Sequence, residues 1–380
     1  MKLKPLYCLT AAFAALVLAG CEKSEEKAAE TAVEQPAAAK EVKVYNWSDY
    51  IGEEVIGKFE AASGIKVTYD VFDSNEVLEG KLLAGRTGYD VVVPTIDFMA
   101  RQIQAGVFLP LDKSKLTNYD KLDPKLMATL ANLDPGNAYG VPYMWGTTGI
   151  GFVESKVVEA LGEDAPLDSW ELVMNPDNLA KLKDCGVSFL DAPTEIFAAA
   201  LHYLGKDPNS LDSADYEGEA KALLKSLAPS ITYFHSSKYI DDLAAGEICV
   251  AVGWSGDIAQ AMVDAEEAEN GVEISYVIPK EGALLWVDML GIPKDATNVD
   301  EALAFIDYLM SPEIAAENTN YIWYPNPIPA SMPMIDEEIT SDPSIYPPED
   351  VMAKLYSATV KPAEIDRVIN RAWTEIKTGQ

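Results

Sequence analysis

Short apolar runs alternate with polar, glycine-closed stretches along this chain from residue 42 onward. Residues 42–46 read as a short strand. Residues 51–63 place Ile51, Val55, Ile56 and Phe59 at helical spacing, and Gly64 stands where a left-handed residue closes a helix. Residues 65–72 alternate and are rich in β-branched side chains, which predicts a strand. Residues 75–84 predict a helix ended by Gly85, residues 89–93 a strand stopped by Pro94, and residues 98–105 a helix before Gly106. Strands and helices in this order predict a parallel sheet with helices on its faces, an α/β fold.

The style persists to the end of the chain. Strands are expected at 149–154, 248–254, 272–279 and 284–292. Helices are expected at 194–204, 237–245, 258–269 and 299–310, with a final amphipathic helix at 364–377. The glycine-rich run Gly146-Thr147-Thr148-Gly149-Ile150-Gly151 leads into a strand, not a helix. It is therefore a poor phosphate loop and reads as a crossover or hinge. Residues 41–380 are about twice the length of a typical domain, so two lobes are expected.

The first 40 residues do not share this pattern. Lys2 and Lys4 precede an apolar run of about ten residues, too short to span a membrane as a stable helix. Residues 1–20 read as a signal peptide. The run ends in Leu18-Ala19-Gly20-Cys21, which resembles a bacterial lipobox and makes Cys21 the expected lipidation site. Residues 22–40 are rich in Ala, Glu, Lys and Pro and carry almost nothing that could build a core, so 21–40 is expected to be a tether. The folded part is then expected outside the cytoplasm, lipid-anchored to a membrane.

The formal net charge of −32 argues against nucleic acid, which needs a basic surface. It suits cationic ligands through steering. Of the four cysteines, Cys8 leaves with the signal and Cys21 is committed to lipid. Cys185 and Cys249 remain, either as a disulfide or as two buried thiols; spacing does not decide between them.

Candidate chemistry gathers where aromatic and acidic residues adjoin: Asn46-Trp47-Ser48-Asp49-Tyr50, Gly253-Trp254-Ser255-Gly256-Asp257, Trp286-Val287-Asp288 and Trp323-Tyr324. Aromatic faces attract cations and carboxylates pair with them. Trp47 and Asp49 follow one expected strand, Thr95 and Asp97 another, and Trp254 and Asp257 a third. In open α/β sheets, ligands sit beyond the carboxyl ends of strands. Asp257 also has a plainer reading, as the cap of the helix beginning near it. His202 and His235 lack paired ligand spacing, so no metal site is expected. Gly253-Trp254-Ser255-Gly256 lacks the spacing of a nucleophile elbow. The chain reads as a binding protein without a cofactor, not as an enzyme. Trp145 and Trp170 read as structural.

Six ordered motifs carry a family resemblance: Asn46-Trp47-Ser48-Asp49-Tyr50-Ile51, Asp73-Ser74-Asn75-Glu76, Val92-Val93-Pro94, Ser188-Phe189-Leu190-Asp191-Ala192-Pro193, Gly253-Trp254-Ser255-Gly256-Asp257 and Ile345-Tyr346-Pro347-Pro348. Together they resemble the periplasmic polyamine-binding proteins of bacterial ABC transporters, nearest the putrescine-binding branch. The resemblance implies a two-lobed periplasmic binding protein fold (type II) with the ligand cleft between lobes. It implies lobes of 41–144 plus 276–318 and 145–275 plus 319–380, with the chain crossing near 144, 275 and 319. It implies an aromatic box of Trp47, Tyr50, Trp254, Trp286 and Tyr324. Asp49, Glu195, Asp257 and Asp288 are the implied carboxylates, and Ser48 and Thr95 the implied polar contacts. It also implies that Cys185 and Cys249 are bridged, and that a monomer hands a polyamine, putrescine or spermidine, to ABC permease subunits. Thr95 stands where the putrescine branch has Ser, and Trp286 where it has Phe, so ligand length is the open point. The alternatives are a receptor for another small organic cation and a polyamine sensor.

Overall fold

The computed structural model describes residues 40–379. The expected signal peptide, Cys8, the expected lipidation site Cys21 and the tether through residue 39 lie outside the described residues.

β1 (Glu41–Trp47) lies between β2 (Lys66–Phe72) and β3 (Val91–Val92) and is parallel to both. The helices Val55–Ser63 and Asn75–Ala84 make the crossovers. Val42, Val44, Val91 and Val92 are buried, as expected of parallel strands covered on their faces. Two helix ends follow local chemistry. The Ser74 hydroxyl accepts from the Val77 N–H at 3.3 Å, capping the second helix, and Gly64 closes the first with φ 71°. The helix expected from residue 51 starts only at Val55. Asp49 adopts φ 54°, which bends the chain sharply after Trp47, and the Gly52 N–H donates to the Asn318 side chain at 2.8 Å.

β4 (Gly140–Val153) is 14 residues long, where the pattern predicted only its last part. At about 3.3 Å per residue it extends roughly 45 Å. Its glycines mark close approach of neighbours, not a loop. A Cβ on Gly146 would lie 2.7 Å from the Trp286 ring, and one on Gly149 would lie 2.4 Å from the Val277 carbonyl oxygen. The remaining strands are β5 (Val187–Phe189), β6 (Tyr233–Phe234), β7 (Val250–Trp254), β8 (Ile274–Val277), β9 (Leu284–Gly291) and β10 (Tyr356–Ser357). The sheet order is β2-β1-β3-β9-β4-β7-β5-β6, with β8 beside β4 and β10 beside β9.

The two-lobed plan follows from this order. β1, β2 and β3 form one parallel set, and β5, β6 and β7 a second. β4 and β9 lie antiparallel between them and belong to both. Gly140–Pro142 pair with Met289–Gly291, the register shifts between Pro142 and Trp145, and Trp145–Thr148 pair with Leu284–Val287. β8, in which the expected crossing near 275 falls, pairs with the far end of β4.

Helices Glu154–Leu161, Pro176–Leu182, Lys221–Leu227 and Pro312–Ile322, which the pattern did not single out, complete the packing. Trp170 is fully buried and its Nε1 donates to the Gly282 carbonyl at 2.9 Å. Cys185 and Cys249 form a disulfide with Cα atoms 5.5 Å apart, closing 64 residues of chain. Closing a loop of that size stabilises the fold by about 4 kcal/mol in the chain-entropy account. Among the described residues no helix is long and apolar enough to cross a membrane.

Candidate ligand-binding site

β1 ends in Asn46-Trp47, and the buried Asn46 organises the turn that follows. Its Oδ1 accepts from the Trp47 N–H at 2.8 Å, and the Tyr50 carbonyl accepts from the Tyr143 hydroxyl at 2.8 Å. Trp47 is pinned by its own Nε1, which donates to the Val93 carbonyl at 2.8 Å. Its ring meets the edge of Trp254, from the second strand set, with centroids 5.3 Å apart. Tyr50 and Trp286 both pack against Tyr324, at 5.1 and 5.3 Å. Gly256 makes room for this: a Cβ there would lie 2.5 Å from the Tyr324 ring.

These rings wall a cavity lined by Trp47, Ser48, Tyr50, Thr95, Glu195, Trp254, Asp257, Trp286, Asp288 and Tyr324. The structure thus brings together every expected site residue except Asp49. Asp49 is exposed and lies in a separate, open acidic depression with Asp241, Asp264 and Glu267. Partial loss of hydration at the chain bend, and then the neighbouring Asp241, raise its pKa despite that exposure.

Three carboxylates face the cavity, each held differently. Glu195 sits in the first turn of helix Pro193–Tyr203 and accepts from Thr148 Oγ1 at 2.6 Å and Trp254 Nε1 at 3.0 Å. Asp257 sits in the first turn of helix Ser255–Glu267, yet it does not act as that helix's cap. Its two oxygens accept from the hydroxyls of Tyr324, at 2.6 Å, and Tyr239, at 2.7 Å. Asp288, on β9, is buried, and its Oδ1 has no hydrogen-bond partner. The Tyr50 hydroxyl lies near enough to favour the Asp288 charge, but no bond of ordinary geometry joins them, and that hydroxyl and Trp286 Nε1 are likewise unpartnered. Thr95 donates its hydroxyl to Asp97 at 2.8 Å.

Loss of water dominates the electrostatics. Burial pushes Glu195 and Asp257 up to about 7, and Asp288 well above the ordinary carboxylate range. Hydrogen bonds from Thr148 and Trp254, and from Tyr324 and Tyr239, only partly offset this. Among the described residues no lysine or arginine forms an ion pair with any of the three. The arrangement is a buried aromatic box whose carboxyls ionise readily once a cation pairs with them, suited to an organic cation.

Sequence reasoning missed Tyr239, Tyr143 and Thr148. Each acts by holding a carboxylate or the Tyr50 turn, and none sits in an aromatic–acidic motif. The only trace of Tyr239 in the sequence is Gly253, where a Cβ would lie 2.6 Å from its ring. The two histidines serve loops. His202 Nε2 is 2.8 Å from the Glu281 carbonyl, and His235 Nδ1 accepts from the Lys238 N–H at 3.0 Å.

Residues 54–347 match the family described as bacterial extracellular solute-binding protein. The chain is 55% identical over 344 residues to a putrescine-binding periplasmic protein of Escherichia coli K12, covering 90% of this chain and 93% of that one. It is 56% identical over 346 residues to a putrescine-binding periplasmic protein of Pseudomonas aeruginosa UCBPP-PA14, covering 91% and 94%. Among solved structures it resembles a Listeria monocytogenes chain named for a spermidine/putrescine ABC transporter, with a TM-score of 0.81 and 32% identity, covering 90% of this chain and 100% of that one.

Proposed function

Since the chain belongs to the bacterial extracellular solute-binding proteins, we propose that it captures a polyamine, putrescine foremost, in the aromatic box and delivers it to an ABC permease. The observation that carries this reading is the set of buried carboxylates Glu195, Asp257 and Asp288, none of them in an ion pair with a described cation. A buried charge without a partner is costly, and a dication supplies two partners at once. The aromatic walls match the methylene chain between the ammonium groups. A singly charged quaternary ammonium would need the aromatic rings but not acids along the whole box.

Binding makes contacts with both strand sets, so it favours the closed arrangement. We assign the bend to Pro142–Trp145 of β4, where the register shifts, and to the adjoining part of β9. The chain is assigned a binding role and no catalysis. Trp286 and Thr95 both sit in the wall, the places where the chain departs from the putrescine branch, so they bear on which polyamine length fits. Lipidation at Cys21 holds the receptor at a membrane as a monomer in the periplasm. Metabolic labelling with a fatty acid checks the anchor: wild type is labelled and Cys21→Ala is not, while equal labelling removes it.

Calorimetric titration of refolded, ligand-stripped mature protein with putrescine, cadaverine, spermidine and spermine tests the function. One-to-one binding of a diamine or triamine is expected. Folded protein that binds none of them overturns the assignment.

A further inference from the structure

Trp47, Thr95, Glu195 and Trp286 also line a second space, a chamber on the other side of the wall they form. Its polar lining includes Glu76, Asp97 and Lys361. Lys361 lies between β10 and the helix Ala363–Thr378 and is only 4% exposed. Its ammonium makes no hydrogen bond or ion pair among the described residues. The charged groups around it are Asp97, Asp366, Arg101 and Asp207. Arg101 and Asp366 are already engaged, with each other at 3.1 Å, and Arg101 also bonds Glu79 at 2.5 Å. Glu76 accepts from the Thr194 hydroxyl at 3.1 Å, and Asp97 from Thr95.

A buried lysine without a bonded partner weakens a fold, and burial lowers its pKa accordingly. The carboxylates of Asp97, Asp366 and Asp207 offset that cost only in part. What the lysine does have is an outlook onto an acidic chamber that adjoins the box through four residues.

We propose that Lys361 limits the length of the ligand: its ammonium supplies the positive charge of the outer chamber, so diamines lodge in the inner box and amines that would carry a further ammonium into the chamber are rejected. The inference rests on the polyamine reading above. Without Lys361, Glu76, Asp97 and the shared Glu195 would draw a third ammonium through the wall. With it, Asp97 already has a cation nearby, and an incoming ammonium meets like charge in a site shielded from water, where repulsion is weakly screened.

The test titrates mature protein with putrescine, spermidine and N-propylputrescine, which keeps spermidine's carbon chain and inner amine but lacks one terminal amine. In wild type, N-propylputrescine is expected to bind at least about tenfold more tightly than spermidine, a 1.4 kcal/mol difference. In Lys361→Met the spermidine-to-putrescine affinity ratio rises by about tenfold, and Lys361→Arg keeps the wild-type order. Equal binding of spermidine and N-propylputrescine by wild type, or an unmoved ratio in folded Lys361→Met, overturns the proposal. The wild-type comparison stands on its own if the methionine variant does not fold. Wild type that is folded yet binds no putrescine removes the polyamine reading and this inference with it. Wild type that binds putrescine without the expected discrimination removes this inference alone.

Discussion

Two acidic regions flank the turn after β1, and they differ in everything except the sign of their charge. The inner cavity holds Glu195, Asp257 and Asp288 behind rings of Trp47, Trp254, Trp286 and Tyr324. The outer depression holds Asp49, Asp241, Asp264 and Glu267, all exposed. Ser48 and Asp49 are neighbours in the chain but fall on opposite sides, because Asp49 takes a left-handed backbone and the chain bends there. Outside, water and salt screen each carboxylate, so the region attracts cations weakly and at a distance. Inside, the rings bury the carboxyls, and no described lysine or arginine pairs with any of them. Surroundings, not charge count, separate a binding site from an acidic surface.

Removing one carboxylate on each side breaks the comparison most sharply. Asp288→Ala or Asp257→Ala is expected to cost about 2–5 kcal/mol of putrescine affinity, because an ammonium is left buried and unpaired. Asp49→Ala is expected to cost less than about 1 kcal/mol. Calorimetry checks both, and an equal loss at Asp49 would place it in the site.

Acidity gives the next largest effect. Glu195 and Asp257 are held near 7, and a bound dication favours their charged forms, so binding releases protons. Affinity is therefore expected to fall by about tenfold per pH unit, for each proton released, as pH drops below 7. Titrations in buffers of different ionisation enthalpy measure the release directly. The ligand-free protein should respond in the opposite direction. A carboxyl whose folded pKa is raised contributes stability that is complete below about 4 and lost as pH rises through about 7. Its melting temperature should therefore fall between pH 5 and 8, measured at constant salt, by roughly a few degrees.

Smaller effects sharpen the contrast. Trp286→Phe should shift the putrescine-to-spermidine preference by about 1 kcal/mol, the scale of one aromatic contact, as read from paired titrations. Asp49→Asn should leave dissociation unchanged and slow association by about twofold at low salt, with the difference gone at about 0.5 M salt in stopped-flow measurements. A change in dissociation instead would make Asp49 a contact residue.

The two regions also mark how far the sequence could be read. Strand and helix order in residues 41–105 was legible because most of the apolar runs are closed by a glycine or proline that acts locally, as Gly64 and Pro94 do. β4 was legible only in its last part, because its glycines look like a break until Trp286 and Val277 are seen packed against them. That is information about distant neighbours, which a local pattern does not hold. The aromatic–acidic motifs pointed to residues that line one cavity, while the bend that puts Asp49 outside it depends on a single backbone angle. Tyr239 was silent for a similar reason. Its hydroxyl reaches Asp257 and the Trp254 N–H only once the sheet is assembled.

β4 and β9 lie side by side where they join the two strand sets, and their pairing resumes on both sides of the shift at Pro142–Trp145. A joint made of two bonded ribbons behaves like a door leaf on a long pin: it swings about one axis and resists sliding or twisting. With the bend assigned there, closure is expected to follow one path to one end point. A transporter docking on such a receptor need not recognise its cargo at all, since the angle of the leaf already reports whether the box is filled.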